Sequence, residues 1–147
     1  MNGTYRLIKY QDQNGNPFWE LTTATGKSEL QKLMANPSAR TSARKLIAQI
    51  TRINLYGITV SINTSKLRPI DSQLGLYEIK GFDGVNRELA YVISVNSTSI
   101  VLLHWFRGHQ GSGSIHKEIA KTKQKVKVAK MLLTSELSNE SNTNERS

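Results

Sequence analysis

The stretch "LYEIKGFDGVNRELAYVISVNSTSIVLLHWFR" (residues 76–107) decides the fold. Three apolar-rich runs, 76–82, 87–94 and 100–106, are separated by two short polar segments. The first segment carries Asp83-Gly84, a strong signal for a tight hairpin. The second, "VNSTS" (95–99), is a polar turn. Turns this short join antiparallel neighbours, so the stretch predicts a three-strand meander. The third run, "IVLLHWF", is almost continuously apolar, which predicts a strand covered on both faces.

Upstream, residues 37–56 predict a helix. Asn36 can cap it, and Pro37 is tolerated in the first turn. Ala39, Ala43, Leu46, Ile50 and Ile53 follow at 4-3-4-3 spacing and form one apolar stripe. Arg40, Arg44, Lys45 and Arg52 lie off the stripe, and Gly57 ends the helix. A shorter helix is predicted over Lys27–Met34, and "TYRLIKY" (4–10) reads as a strand before an Asn14-Gly15 turn. The segment 58–75 predicts wandering chain. Downstream, "GHQGSGS" (108–114) lacks the lysine-serine ending of a phosphate-binding loop and reads as a connector. In 115–133, Ile115, Ile119, Val126, Ala129 and Leu133 fit a helical stripe, whereas "KVKVAK" alternates like a strand. Length, alanines and the lysines at 117, 121, 123, 125, 127 and 130 favour helix. From Ser135 the chain is polar and without period, which predicts a disordered tail over 135–147. The expected fold is therefore α+β. One domain, 1–134, packs a small antiparallel meander sheet with N-terminal helices and a C-terminal basic helix.

The chain has 147 residues and no cysteine, so disulfides and cysteine–zinc sites are excluded. No apolar run has the ~20 residues of a membrane span. The first fifteen residues lack a signal-like apolar core, so a cytoplasmic protein without a membrane partner is expected. The net charge is +9, and residues 1–134 alone hold 19 basic against 8 acidic residues. Such a field favours a polyanionic partner, nucleic acid or ribosome above all.

Chemistry-bearing residues gather at one end of the expected meander. Lys80 lies late on the first run and Arg87 begins the second, across the Asp83-Gly84 turn. The third run is antiparallel to the second, so its end brings His104 and Arg107 to the same edge. Simple alternation groups Arg107 with Val101, Leu103 and Trp105, and His104 with Phe106 on the other face. Cleavage of RNA by its own 2′-oxygen needs a base, an acid and cations for the phosphorane charge. Lys80, Arg87 and Arg107 supply cations, and His104 could move a proton. The same pattern also fits a solvated basic rim. His109 and His116 are candidates for RNA contact or proton donation, and Lys117 and Lys121 open a basic, amphipathic helix suited to RNA. The spacings of the three histidines match no metal-ligand pattern, and no metal or cofactor is expected.

These residues resemble a known family. "GLYEIKG", "RELAY", "IVLLHWFRG" and "IHKEIAKTK", in that order, are similar to the RelE/HigB superfamily of toxin–antitoxin toxins, and in particular to its phage-derived HigB-like branch. The resemblance covers roughly 5–130. It implies a RelE-like fold and a metal-independent, ribosome-dependent mRNA endoribonuclease. A cognate antitoxin, expected to be a small helix-turn-helix protein, would neutralise it. By motif it carries catalytic roles to Lys80, Arg87 and Arg107, with His104 matching the branch's Leu-Leu-His. The sequence departs from the pattern at Glu78, where a cation is expected, and in having no tyrosine after Tyr91.

Overall fold

Each run of the meander forms its strand, but the sheet is larger than the three-strand meander suggests. The computed structural model describes residues 4–61, 67–82, 84, 87–107 and 112–146. In chain order the elements are β1 (Tyr5–Gln11), β2 (Pro17–Thr23), α1 (Glu29–Ala35), α2 (Arg40–Tyr56), α3 (Ile58–Ser61), β3 (Leu67–Asp71), β4 (Leu76–Phe82), β5 (Arg87–Ser94), β6 (Ile100–Arg107) and α4 (Ser112–Arg146). The fold is α+β. Its six-strand sheet has the order β1-β2-β6-β5-β4-β3 and is mixed: β2 runs parallel to β6, and all other neighbours are antiparallel. The expected purely antiparallel sheet is thus corrected at one junction.

Local chemistry explains most elements. The Gly15 turn (φ +84°) closes the β1–β2 hairpin. Asp12 braces it, its carboxylate accepting from the Asn14 and Asn16 amides and from Asn54 of α2 at 2.8–2.9 Å. Ser28 caps α1, accepting from the Gln31 amide at 3.0 Å. α2 starts at Arg40 rather than Pro37. Asn36 instead builds the turn before it, its side chain accepting from the Ser38 amide and its carbonyl from the Arg40 amide. Gly57 ends α2 with φ +87°, donating its amide to the Ile53 carbonyl.

Two strands lie where the sequence reading had none. β2, "PFWELTT", is buried on both faces from Phe18 to Leu21, so it carries no alternation to read. β3 contains Pro69, which cannot donate to a ladder and suits an edge strand. A register shift between Pro69 and Asp71 interrupts its pairing with β4.

Helices cover both faces of the sheet. On one, the predicted stripe of α2 is buried, and Leu46, Ile50 and Ile53 join Phe18, Ile79, Val92 and Leu102 in one core. α2 presses so closely on β4 that a methyl at Gly81 would stand 2.1 Å from the Ser42 carbonyl. On the other face, Val126, Ala129 and Leu133 of α4 pack with Trp19, Tyr91, Ile93 and Val101. The helical period wins over the "KVKVAK" alternation because Thr122, Val126, Ala129 and Leu133 are all buried while Lys127 is exposed. α4 then continues to Arg146 through the polar residues read as a disordered tail, and Leu137 carries its stripe one turn past Leu133. Residues 108–111, most of the expected connector, lie outside the described residues, as does Asp83.

β6 departs from simple alternation. Tyr91 pairs with His104 but Val92 pairs with Leu102, which leaves Leu103 as an extra residue in a β-bulge. His104 therefore follows Leu103 onto the α4 face, and Trp105 joins the α2 face. The expected grouping of Trp105 with Leu103 is reversed by this one residue.

Candidate functional site

The register brings the predicted basic residues to one end of three adjacent strands. Lys80 pairs with Leu89, Phe82 with Arg87, and Glu88 with Arg107. Lys80 is half-buried, and its row on β4 continues through Glu78 to Leu76. Glu78, the departure from a cationic strand, faces Arg68 of β3, whose guanidinium lies 3.2 Å from its carboxylate. The bulge has a consequence here. By backbone register Arg87 belongs to the row of Leu89 and Tyr91, whereas Arg107 falls in the row of Trp105.

His104 sits three positions inward from Arg107. It is half-buried, and its ring stacks on Tyr91 with centroids 6.4 Å apart and planes inclined by 21°. Lys121 is exposed on α4, and the backbone of His116 and Lys117 lies in the first turns of that helix. His109 lies outside the described residues. Among the described residues no three acidic or histidine side chains converge as metal ligands. No helix among them is long and apolar enough to cross a membrane.

A second feature escaped the sequence reading. β2 and β6 pair only at Trp19–Val101 and Glu20–Leu102, then part. Between their diverging ends lies a crevice of about 410 Å³, reached by His104 and Trp105 from β6 and by Thr22 and Thr23 from β2. Lys27, Lys32 and Lys125 also line it. They come from the chain before α1, from α1 and from α4, so residues far apart in sequence meet there.

Glu20 also lines this crevice. It is 1% exposed, an extreme position for a carboxylate, and four donors compensate its burial. One oxygen accepts from Ser28 Oγ at 2.6 Å and from the Tyr10 hydroxyl at 3.3 Å. The other accepts from the Glu29 and Leu30 amides at 2.8 and 3.2 Å, the free amides of the first turn of α1. Tyr10 also bonds Ser28 directly. Burial pushes the Tyr10 phenol above its ordinary pKa, and the Glu20 charge adds to the shift against the opposing Ser28 bond. This network fixes α1 to the sheet beside the crevice. Its trace in the sequence was a lone glutamate inside the aromatic run "PFWEL", followed by Ser28 as a capping residue.

No family model matches the chain, and no curated protein or solved structure matches it.

Proposed function

We propose that the protein is a ribosome-dependent endoribonuclease toxin of the RelE/HigB kind, neutralised in the cytoplasm by a cognate antitoxin, a small helix-turn-helix protein. The observation that carries this reading is the pairing of Lys80 with Leu89, Phe82 with Arg87 and Glu88 with Arg107, which collects three cationic residues at one end of the β4–β5–β6 meander. The element order supports it in outline: a strand hairpin, helices α1 and α2, the β4–β5–β6 meander and a lysine-rich helix over the sheet, with α3 and β3 inserted before the meander.

The chemistry asked of these residues is modest. Arg87 and Arg107 hold the scissile phosphate and offset the charge of the phosphorane, with Lys80 in support. His104 moves a proton during attack of the 2′-oxygen, a role its half-burial beside a crevice permits. Lys117 and Lys121, with His116 and His109, extend the contact along the RNA.

Induced expression tests this directly. Arg87→Ala combined with Arg107→Ala is expected to abolish growth arrest and the discrete, codon-linked mRNA ends, while circular dichroism and Tm stay at the parent's values. A double variant as toxic as the parent sinks the assignment.

One observation favours a second reading. The bulge places Arg87 and Arg107 in opposite rows of the sheet, an arrangement that suits wrapping a partner as readily as gripping one phosphate. In that reading the domain is a non-catalytic binding module, in the manner of gyrase inhibitors or of a basic nucleic-acid adaptor. Inhibited supercoiling without mRNA cleavage would mark the gyrase case.

A further inference from the structure

The crevice between β2 and β6 lies at a special place in the topology. Among the described residues these are the only parallel neighbours in the sheet. After β2 the chain turns to α1 and α2 on one face, and after β6 it passes to α4 on the other. Adjacent parallel strands whose connections leave to opposite faces open a gap outside their carboxyl ends, the common ligand position in open α/β sheets.

The lining sets the chemistry of the occupant. Three lysines reach the crevice from separate elements, and Lys32 is shared with Glu29 at 3.4 Å. Among the described residues Lys27 and Lys125 make no ion pair. Both Glu20 oxygens already accept hydrogen bonds from Ser28 and the α1 amides, so this carboxylate does not define a cation site. Trp105, which also lines the crevice, is 9% exposed, and its buried indole Nε1 has no hydrogen-bond partner among the described residues. A buried donor without an acceptor is uncommon and marks a place where a ligand atom would be favoured. Thr22 and Thr23 add hydroxyls, and Gly26 abuts both so closely that a methyl there would lie 2.4–2.7 Å from them. The rim is thus tight and built. Lysines that attract an anionic group, an indole that can stack and donate to a ring acceptor, and threonine hydroxyls together suit a nucleotide, and about 410 Å³ lies within the range of small-ligand sites.

We propose that this crevice binds a nucleoside monophosphate unit, with the phosphate toward Lys27 and Lys125 and the base toward the Trp105 indole. The unit is either a free nucleotide or one residue of an RNA strand. The proposal needs no cleavage activity; the crevice shares His104 with the nuclease reading but none of the strand-end cations.

Calorimetry and tryptophan fluorescence on the full chain test it, with the four ribonucleoside 5′-monophosphates, inorganic phosphate and a short single-stranded oligoribonucleotide as probes. At least one monophosphate is expected to bind with Kd of about 1 mM or tighter and to change tryptophan emission, with inorganic phosphate about tenfold weaker. An oligoribonucleotide binding more tightly than any monophosphate identifies the strand as the source, and the reverse order identifies the free nucleotide. Lys27→Glu with Lys125→Glu is expected to weaken binding about tenfold or more because each reversal opposes the phosphate charge. Trp105→Phe keeps the apolar body, removes the donor and is expected to weaken binding severalfold. Absence of binding by every monophosphate, or a charge-reversed variant with unchanged Kd, overturns the proposal. A parent protein that cleaves mRNA but binds no monophosphate refutes this site alone, and one that binds a monophosphate but cleaves no mRNA refutes the nuclease reading alone.

Discussion

β6 has two very different neighbours. Against β5 it pairs along almost its whole length, interrupted by one bulge, and against β2 it pairs at two positions before the strands part. The long seam joins residues close in sequence and is buried on both faces. The short seam joins residues some eighty positions apart, and its failure opens the crevice. Continuous pairing makes the scaffold here, and interrupted pairing makes room for a ligand.

That contrast can be broken from the scaffold side with the largest effect. Ile93→Ala removes a fully buried side chain of β5 and should cost about 3 kcal/mol in urea unfolding, because the packing against α4 cannot collapse onto the gap. Gly81→Ala, which drives a methyl into the Ser42 carbonyl of α2, should cost about 2 kcal/mol by the same measurement. Retained stability in either variant would mean that the meander is not the rigid half.

The crevice side should respond more weakly and more locally. Glu20→Ala strands two α1 amides and takes an acceptor from Ser28 and Tyr10, with an expected cost of about 1–3 kcal/mol. Hydrogen exchange should show the loss concentrated in α1 and β2 rather than in β5 and β6. Ser28→Ala removes the cap and the bonds of its hydroxyl to Glu20 and Tyr10, for about 1 kcal/mol.

The smallest effect is one of pH. The Tyr10 phenol has its pKa raised above the ordinary value of 10.0, so the folded state holds the proton longer than the unfolded chain. The associated stability is complete below that value and is lost as pH rises through the folded pKa. Tm should therefore fall more steeply above pH 10 in the parent than in Tyr10→Phe, and equal slopes would remove Tyr10 from the network.

The two seams also differ in how far they could be read beforehand. The meander and the α2 stripe are local patterns, so Ala43, Leu46, Ile50 and Ile53 declare the helix, and the runs 76–82 and 87–94 match β4 and β5 residue for residue. β2 was invisible because burial on both faces erases alternation, and its parallel partner lies far along the chain. The bulge escaped because "IVLLHW" is apolar at nearly every position, so no polar residue marks where the register shifts. The strand-end positions of Lys80, Arg87 and Arg107 followed from hairpin order alone. The crevice did not, since Lys27, Trp105 and Lys125 share no motif and meet only through the fold.

The outer edges of the sheet carry a last consequence. An unpaired strand edge invites another chain to continue the ladder. β3 answers with Pro69, which has no amide hydrogen, and with the register shift before Asp71. Recruitment of further strands is thereby opposed at this end. Any cross-chain sheet extension is steered to β1, where Arg6 and Lys9 put like charges on an approaching copy. A protein concentrated enough to bind its partners would in this way resist polymerising through its own sheet.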